Sequence, residues 1–390
     1  MLKGHARPRI VILSPFPADF VSFAGGVETA TAGLLEGFRD YQNEFDFHVV
    51  STPRGLIDDL TVKRNGFTFH FLGVPDKTWA RPRFPWRVSK TYRELRQIRP
   101  DLVHCQGNNA LTLATVFRKY SLALTLHGIL KDEVKKRAGW EFWSAKVDAQ
   151  IGKFVLGHFD AFICISDYAV GVVGKTRPKF SIPNPVCSLF FHVLKRSTVL
   201  SNPYLLFVGV LASLKRPADL LLAHAKLRRE FSNLETIFCG EVEDPNYVRA
   251  MHRMVVENRV EGVRFLGRVS QESLRDLLAG AVALVLPSAQ ENAPMVIAEA
   301  MAAGTAVVAT RVGGIPEMIR DRETGLLYEI GRINELADCL KRLLTDLQLR
   351  ERLGHAAKQF AEATYTSERV AGATVSVYRQ LLDERTGLKK

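Results

Sequence analysis

Short runs of Val, Ile, Leu and Phe alternate along the chain with longer stretches whose apolar residues recur at helical spacing. In the first half these runs predict strands at Ile10–Leu13, Phe47–Ser51, Thr68–Leu72, Leu102–Cys105, Leu122–Leu126 and Ala161–Ile165. In the second half they predict strands at Leu205–Val208, Thr236–Cys239, Val263–Leu266, Val282–Leu286 and Ala306–Ala309. The helical spacing is clearest over Ala218–Glu230, Gln271–Leu278 and Asn334–Leu344. Alternation of strand and helix predicts parallel sheets covered on both faces. Eleven strands interrupted once fit two doubly wound units better than a closed eight-stranded barrel. The interruption, Arg177–Pro203, holds Pro178, Pro183, Pro185 and Pro203 without a clear period, and reads as an interdomain linker.

Composition supports this picture. A length of 390 residues predicts two or three domains. With 47% apolar and 24% charged residues, the chain is neither disordered nor a coiled coil. No uncharged apolar run approaches the ~20 residues of a spanning helix; the longest, Ala293 to Thr310, is interrupted by Glu299. The N-terminal basic residues Lys3, Arg7 and Arg9 precede an apolar run that stops at Pro15 and Pro17, which reads as a first strand and not a signal peptide. Cysteines 105, 164, 187, 239 and 339 form no CxxC pair, so neither a zinc ribbon nor a disulfide scaffold is expected. A reduced, cytoplasmic compartment fits. The net charge of +12 is uneven: residues 1–200 hold 28 basic against 17 acidic residues, whereas residues 201–390 are nearly balanced. A basic half and a neutral half imply two domains with different partners.

The most informative stretch is Val282–Thr310. It reads as a strand, then Pro-Ser-Ala-Gln-Glu-Asn-Ala-Pro, then a helix over Met295–Ala303, then Gly304 and another strand. Pro294 suits a first helical turn and Gly304 the position just past the end. Glu291 then lies in the loop at the strand's carboxyl end and Glu299 inside the helix. In open α/β sheets ligands bind at those carboxyl ends. The helix start, at Pro294, Met295 and Val296, offers free N–H groups and a positive dipole to an anion. Two carboxylates flanking an anion site can serve a sugar nucleotide, one facing the sugar and one the ribose. The plainer reading makes Glu291 a surface charge and Glu299 a solvated helix residue. A second anion candidate follows Leu205–Gly209, where Lys215-Arg216-Pro217 opens a helix. Cations at a helix N-terminus disfavour the isolated helix and make sense around a shared phosphate; the alternative is a pair of solvated charges. The Val312-Gly313-Gly314 turn allows close backbone approach to a ligand, or only makes a turn.

These residues resemble those of glycosyltransferase family 4. The match runs through Gly209…Lys215, Phe265-Leu266-Gly267, Pro287-Ser288-Ala289-Gln290-Glu291, Glu299 to Gly304, Val307 to Thr310, Gly313-Gly314 and Thr324-Gly325-Leu326. It extends more loosely to Gly25-Gly26-Val27-Glu28, Thr125-Leu126-His127-Gly128, Ile165-Ser166 and Ile182-Pro183-Asn184. The resemblance implies a GT-B fold, two Rossmann-like α/β domains facing a cleft. Residues 1–185, with a returning C-terminal helix within 366–390, would bind the acceptor, and residues 186–365 the nucleotide sugar. It also implies roles. Glu291 lies near the donor sugar, Glu299 on the ribose, Lys215 on the diphosphate and His127 near the transferred sugar; Gly25 and Gly26 reach the phosphates. The family often has Arg after the Gly209 position, where Val210 stands here, and Arg216 is expected to compensate. Asn184-Pro185-Val186-Cys187 and Ala306 also depart from the family's habit.

Two further segments of the first half bear on partners. Gly171-Val172-Val173-Gly174-Lys175-Thr176 mimics a phosphate-binding loop, but Ala169 stands where glycine is required. No GxGxxG fingerprint occurs, which counts against hydride transfer. Lys77–Arg99 contains eight basic residues and one acid, Glu94, with Trp79, Phe84 and Trp86 interleaved. Val88, Tyr92, Leu95 and Ile98 place one helical face inward. The rest is a solvated basic face or, the reading favoured here, contact with an anionic membrane surface. A polyanionic glycan also fits; nucleic acid fits least, because no recognition motif is present.

The expected function is a retaining transfer of sugar from a UDP- or GDP-linked donor to an acceptor hydroxyl of a lipid-linked or cell-surface glycan. It would use no cofactor and, lacking an Asp-x-Asp motif, no metal. A nucleotide-sugar epimerase, a phosphorylase or a non-catalytic binding protein on the same scaffold are the alternatives.

Overall fold

The computed structural model describes residues 7–23, 25–53, 55–74, 83–107, 110–116, 119–128, 154–170, 178–193 and 202–387. Residues 77–82 of the basic segment, the Gly171–Thr176 stretch, and residues 177 and 194–201 of the expected linker lie outside them. The chain divides into two compact units, Met1–Pro185 with Ser367–Lys390, and Val186–Thr366.

In the first unit, β1 (Arg9–Leu13), β2 (Asp46–Ser51), β3 (Leu60–Arg64), β4 (Phe67–Phe71), β5 (Leu102–Gln106), β6 (Ser121–Leu126), β7 (Ala161–Cys164) and β8 (Lys179–Ser181) form one sheet. Their order is 3-4-2-1-5-6-7-8, and only β3 runs antiparallel to its neighbour. Strands β5 and β6 are buried at every position, which is why they lack a polar–apolar alternation, although β5 also buries His104 and Gln106 and β6 buries Ser121 and Thr125. The connections include α1 (Gly26–Gly37), α2 (Arg83–Ile98) and α3 (Asp167–Val170). On α2, Leu95 and Ile98 are buried, with Val88 and Tyr92 packed beside them, as the periodicity predicts. The last helix of the chain, Ser367–Thr386, packs on α1, and its Val370, Val375, Tyr378 and Leu381 share a core with Ile10, Ile12, Phe38 and Phe47. A Cβ at Gly37 would collide with the Ser367 carbonyl, so glycine is required where these helices meet.

In the second unit, β9 (Tyr204–Val208), β10 (Glu235–Cys239), β11 (Val263–Gly267), β12 (Ala283–Leu286), β13 (Val307–Thr310) and β14 (Leu326–Tyr328) form a parallel sheet in the order 11-10-9-12-13-14. Helices α4 (Pro217–Leu227), α5 (Pro245–Glu257), α6 (Gln271–Gly280), α7 (Met295–Ala302), α8 (Ile315–Met318), α9 (Ile333–Thr345) and α10 (Leu347–Thr364) accompany it.

Both sheets reverse direction once: between β1 and β5 in the first unit, and between β9 and β12 in the second. A switch point splays the loops that leave its two strands, opening a crevice at their carboxyl ends. In the second unit those loops carry Lys215 and Glu291. In the first, β1 leads to Gly25, and β5 and its neighbour β6 end beside Gln106 and His127.

All eleven expected strands are present, with ends shifted by a residue or so. Three more join them: β3, β8 and β14. The linker expectation needs correction, because Lys179–Ser181 is a strand of the first sheet, residues 188–190 form a 3-10 turn, and the units divide between Pro185 and Val186.

Candidate active site

The loop after β9 ends in a 3-10 turn, Ser213–Lys215, and then Arg216 takes a left-handed conformation with φ 50°. This reversal starts α4 with Pro217 at its first helical position, where the missing N–H costs nothing. Lys215 is thereby turned towards the β12 loop. Its Nζ donates to Glu291 Oε1 at 2.6 Å, and the lysine side chain is 26% exposed. Arg216 turns elsewhere: Nε and Nη2 donate to the two oxygens of Asp219 at 2.8 and 3.1 Å. The two adjacent cations therefore have different partners, one across the switch point and one within its own helix.

Glu291 is 8% exposed, which excludes the plain surface-charge reading. Its Oε1 accepts from both Lys215 Nζ and Ser288 Oγ, the latter at 2.6 Å, and Oε2 accepts from no side chain among the described residues. The loop is braced from several sides. Thr310 Oγ1 donates to the Ser288 carbonyl at 2.6 Å, the Ala289 N–H to the Leu214 carbonyl at 2.8 Å, and the Gly314 N–H to the Glu291 carbonyl at 3.2 Å. At Gly313, with φ 53°, a Cβ would collide with the Glu291 carbonyl. The Gly-Gly turn thus makes its close approach to the glutamate's own backbone.

Pro294 occupies the N-cap of α7, one position ahead of the first helical turn assigned to it by the sequence pattern. Helix geometry leaves the amides of Met295 and Val296 without intrahelical acceptors. Ala303 is the C-cap, and Gly304 follows with φ 74°, as its place in the pattern requires. Glu299 sits within the helix and is 5% exposed, so it is not a solvated helix residue. Burial raises its carboxyl pKa to about 7, and among the described residues no side chain pairs with it. A carboxyl group kept dry and unpaired costs stability.

In the first unit, His127 follows β6, and its Nε2 lies 2.8 Å from Gln106 Oε1 at the end of β5. Burial holds the imidazole down to about 4, so the ring is neutral at neutral pH. Gly25 is the N-cap of α1 in an extended conformation that any residue can adopt, and a Cβ there would meet nothing. The fold does not demand a glycine at this position. Gly26 is the first helical residue.

Ser288 and Gln106 are neighbours of the candidate residues that the sequence pattern does not single out. Ser288 had a signal in its place three residues before Glu291, at the strand's end; Gln106 had one in its place at the end of the switch-point strand. On α2, Arg93, Arg96 and Arg99 are exposed along the helix and just past its end, while Lys90 pairs with Asp59 and lies over the Trp86 ring. Among the described residues no helix is long and apolar enough to cross a membrane.

Residues 24–186 match the family model described as Glycosyltransferase Family 4, and residues 195–360 match that described as Glycosyl transferases group 1. N-acetyl-alpha-D-glucosaminyl L-malate synthase of Bacillus anthracis is 30% identical over 188 residues, 48% of each chain, so the alignment spans about half of that enzyme. An uncharacterized glycosyltransferase of Methanocaldococcus jannaschii is 28% identical over 394 residues, covering 96% of this chain and 100% of that one. Among solved structures, Anabaena HepE in complex with UDP-glucose superposes with a TM-score of 0.74 at 18% identity, covering 95% of this chain and 99% of the other, a likeness of fold.

Proposed function

Because the chain belongs to glycosyltransferase family 4, with two parallel-sheet Rossmann-like units of the GT-B type, we propose that it moves a sugar from a nucleoside-diphosphate sugar to an acceptor hydroxyl with retention of anomeric configuration. The observation that carries this reading is the Lys215–Glu291 pair at the switch point of the second unit. An ammonium group has three hydrogens, and Glu291 engages one. The others can turn to a diphosphate, whose negative charge grows as the glycosidic bond breaks. The amides of Met295 and Val296 add partial positive charge from the start of α7. Glu291 Oε1 is committed to Lys215 and Ser288, which leaves Oε2 to accept from hydroxyls of the transferred sugar. Glu299, once ionised, accepts from the two ribose hydroxyls and so relieves its own burial cost.

Val210 removes one cation that the family often supplies, and Arg216 is held by Asp219. Lys215 therefore bears most of the phosphate neutralisation in this reading, with Arg216 contributing at longer range. In the first unit, His127 contacts the transferred sugar. Gly25 and Gly26 let the phosphates approach the backbone, consistent with a Gly25 that the fold itself does not require. The bond-breaking charge is met by protein groups, so no metal or cofactor is invoked. The acceptor belongs to a lipid-linked or cell-surface glycan, and the exposed Arg93, Arg96 and Arg99 hold the protein against an anionic membrane face. Incubation with UDP- and GDP-sugars and a panel of glycan acceptors, with proton NMR of the product, tests the reaction. Transfer with the donor's anomeric configuration supports it. Inverted product, or conversion of the donor sugar without an acceptor, overturns it.

A further inference from the structure

We propose that His48 and His70 form a proton-binding dyad that couples acidification to the anchorage of the basic helix α2 on the first sheet. The dyad stands apart from the candidate active site, since β2 and β4 lie on one side of β1, and β5 and β6 on the other.

Parallel pairing sets Thr68 opposite His48 and His70 opposite Val50. Side chains alternate along a strand, so His48, Val50 and His70 share one face of the sheet. Helix α2 covers that face, because its Leu95 and Ile98 lie in one core with Val50. The side chains of His48 and His70 are only 14% and 11% exposed, and polar groups so covered need partners. Three contacts supply them, in a row that ends on α2. His48 Nε2 lies 3.3 Å from Asp46 Oδ2, His48 Nδ1 lies 2.9 Å from His70 Nε2, and His70 Nδ1 lies 2.8 Å from Glu94 Oε1. Each of the four ring nitrogens thus has a polar neighbour, and turning either ring over would set carbon against these partners.

The row needs more hydrogens than two neutral rings hold. A carboxylate only accepts, so each outer contact requires a ring N–H, and the contact between the rings requires a third hydrogen. Two neutral imidazoles carry two. The complete row therefore binds one extra proton, wherever along it the proton sits. Without that proton, one nitrogen is left bare against another acceptor, at Asp46, between the rings or at Glu94. With it, the dyad and Arg9, which donates to Asp46 at 3.4 Å, balance the charges of Asp46 and Glu94. A second proton would set two cations side by side, so the dyad takes one. The other charges around it are turned elsewhere. Lys63 of β3, opposite Thr68, is exposed, and Lys90 of α2, one turn before Glu94, is paired with Asp59. Burial, ahead of the charges of His70 and Arg9 and against the pull of Asp46, holds His48 below its ordinary 6.5, so the dyad fills in the mildly acidic range. The Glu94 contact is strongest when the dyad is charged. Linkage makes this reciprocal: the proton tightens α2 on the sheet, and Glu94 strengthens the binding of the proton.

NMR of the full chain, labelled with nitrogen-15 at histidine and titrated from pH 8 to 5, follows the dyad. Amide hydrogen exchange over the same range, expressed as protection factors so that the intrinsic pH dependence is divided out, follows α2. His48 and His70 should titrate as one site that takes up a single proton. Protection of α2 should rise roughly two- to fivefold as the site fills, the worth of a partly exposed charge pair. Glu94→Gln should weaken the dyad's proton affinity by the same factor and remove the rise in protection. His70→Gln, which breaks the row at its centre, should also remove the rise, and serves if the first variant does not fold. No shared proton between pH 8 and 5, independent titration of the two rings, or a rise in α2 protection that persists in these variants would overturn the proposal.

Discussion

Glu299→Gln separates what the carboxylate costs the free protein from what it does for a ligand. Glu299 is buried and its pKa is raised from 4.5 to about 7. A shift of that size corresponds to roughly 3 kcal/mol between the protonated and ionised forms. The sign follows from linkage. Between pH 4.5 and about 7 the unfolded carboxyl ionises while the folded one keeps its proton. Stability from this group is therefore fully present below 4.5, lost as pH rises to about 7, and absent above it. Glutamine has no such slope, but burying its amide takes back about 1–2 kcal/mol. At pH 8 the Gln variant should be more stable than wild type by about 1–2 kcal/mol, and at pH 4.5 no more stable. Urea unfolding of both full-length proteins across this range measures the difference, in which titrations elsewhere cancel. The same variant should lose most of the stabilisation that a nucleoside diphosphate gives, because a neutral amide is a poorer partner for two ribose hydroxyls than a carboxylate. Parallel pH profiles for the two proteins would refute the burial reasoning. A gain in stability with undiminished nucleotide binding would refute the ribose role.

Gly313→Ala should destabilise the second unit by about 2 kcal/mol or more and weaken donor binding with it, since a Cβ there meets the Glu291 carbonyl at a positive φ; a thermal midpoint and donor affinity at wild-type values would count against the bracing. Ser288→Ala frees half of Glu291 Oε1's hydrogen bonding and should lower kcat/KM by roughly three- to tenfold with little loss of stability, read by steady-state kinetics. Replacing Arg93, Arg96 and Arg99 together by Ser should reduce salt-sensitive binding to anionic liposomes in sedimentation assays while leaving transfer to a water-soluble acceptor intact; equal liposome binding would remove the membrane reading.

What was legible in the sequence is what burial makes periodic. Strands buried on both faces, such as Leu122–Leu126 and Ala283–Leu286, announce themselves as apolar runs. Strand β3, Leu-Thr-Val-Lys-Arg, is largely exposed at the sheet's edge, and its polar face blunts pairing with another chain at the expense of any such signal. Strands β8 and β14, three residues each, are too short to show a period. In the site, the strand–loop–Pro–helix–Gly pattern located Glu291 and Glu299, but their environments were not readable. Lys215 and Glu291 are 76 residues apart, and only the reversal between β9 and β12 joins them. The parting of Lys215 from Arg216 depends on a left-handed arginine that no residue preference announces. Likewise His104 comes from β5 and Tyr378 from the far end of the chain, so their contact exists only after the last helix docks.

The central claim is that the second unit holds a nucleoside diphosphate on Lys215. Calorimetric titration of UDP, GDP, ADP and CMP into the wild-type protein and into Lys215→Ala tests it directly. One diphosphate should bind the wild type, and the variant should bind it at least tenfold more weakly, as expected when a charged hydrogen-bond partner is removed. Equal affinity in the two proteins, or no binding of any nucleotide to the wild type, would contradict it.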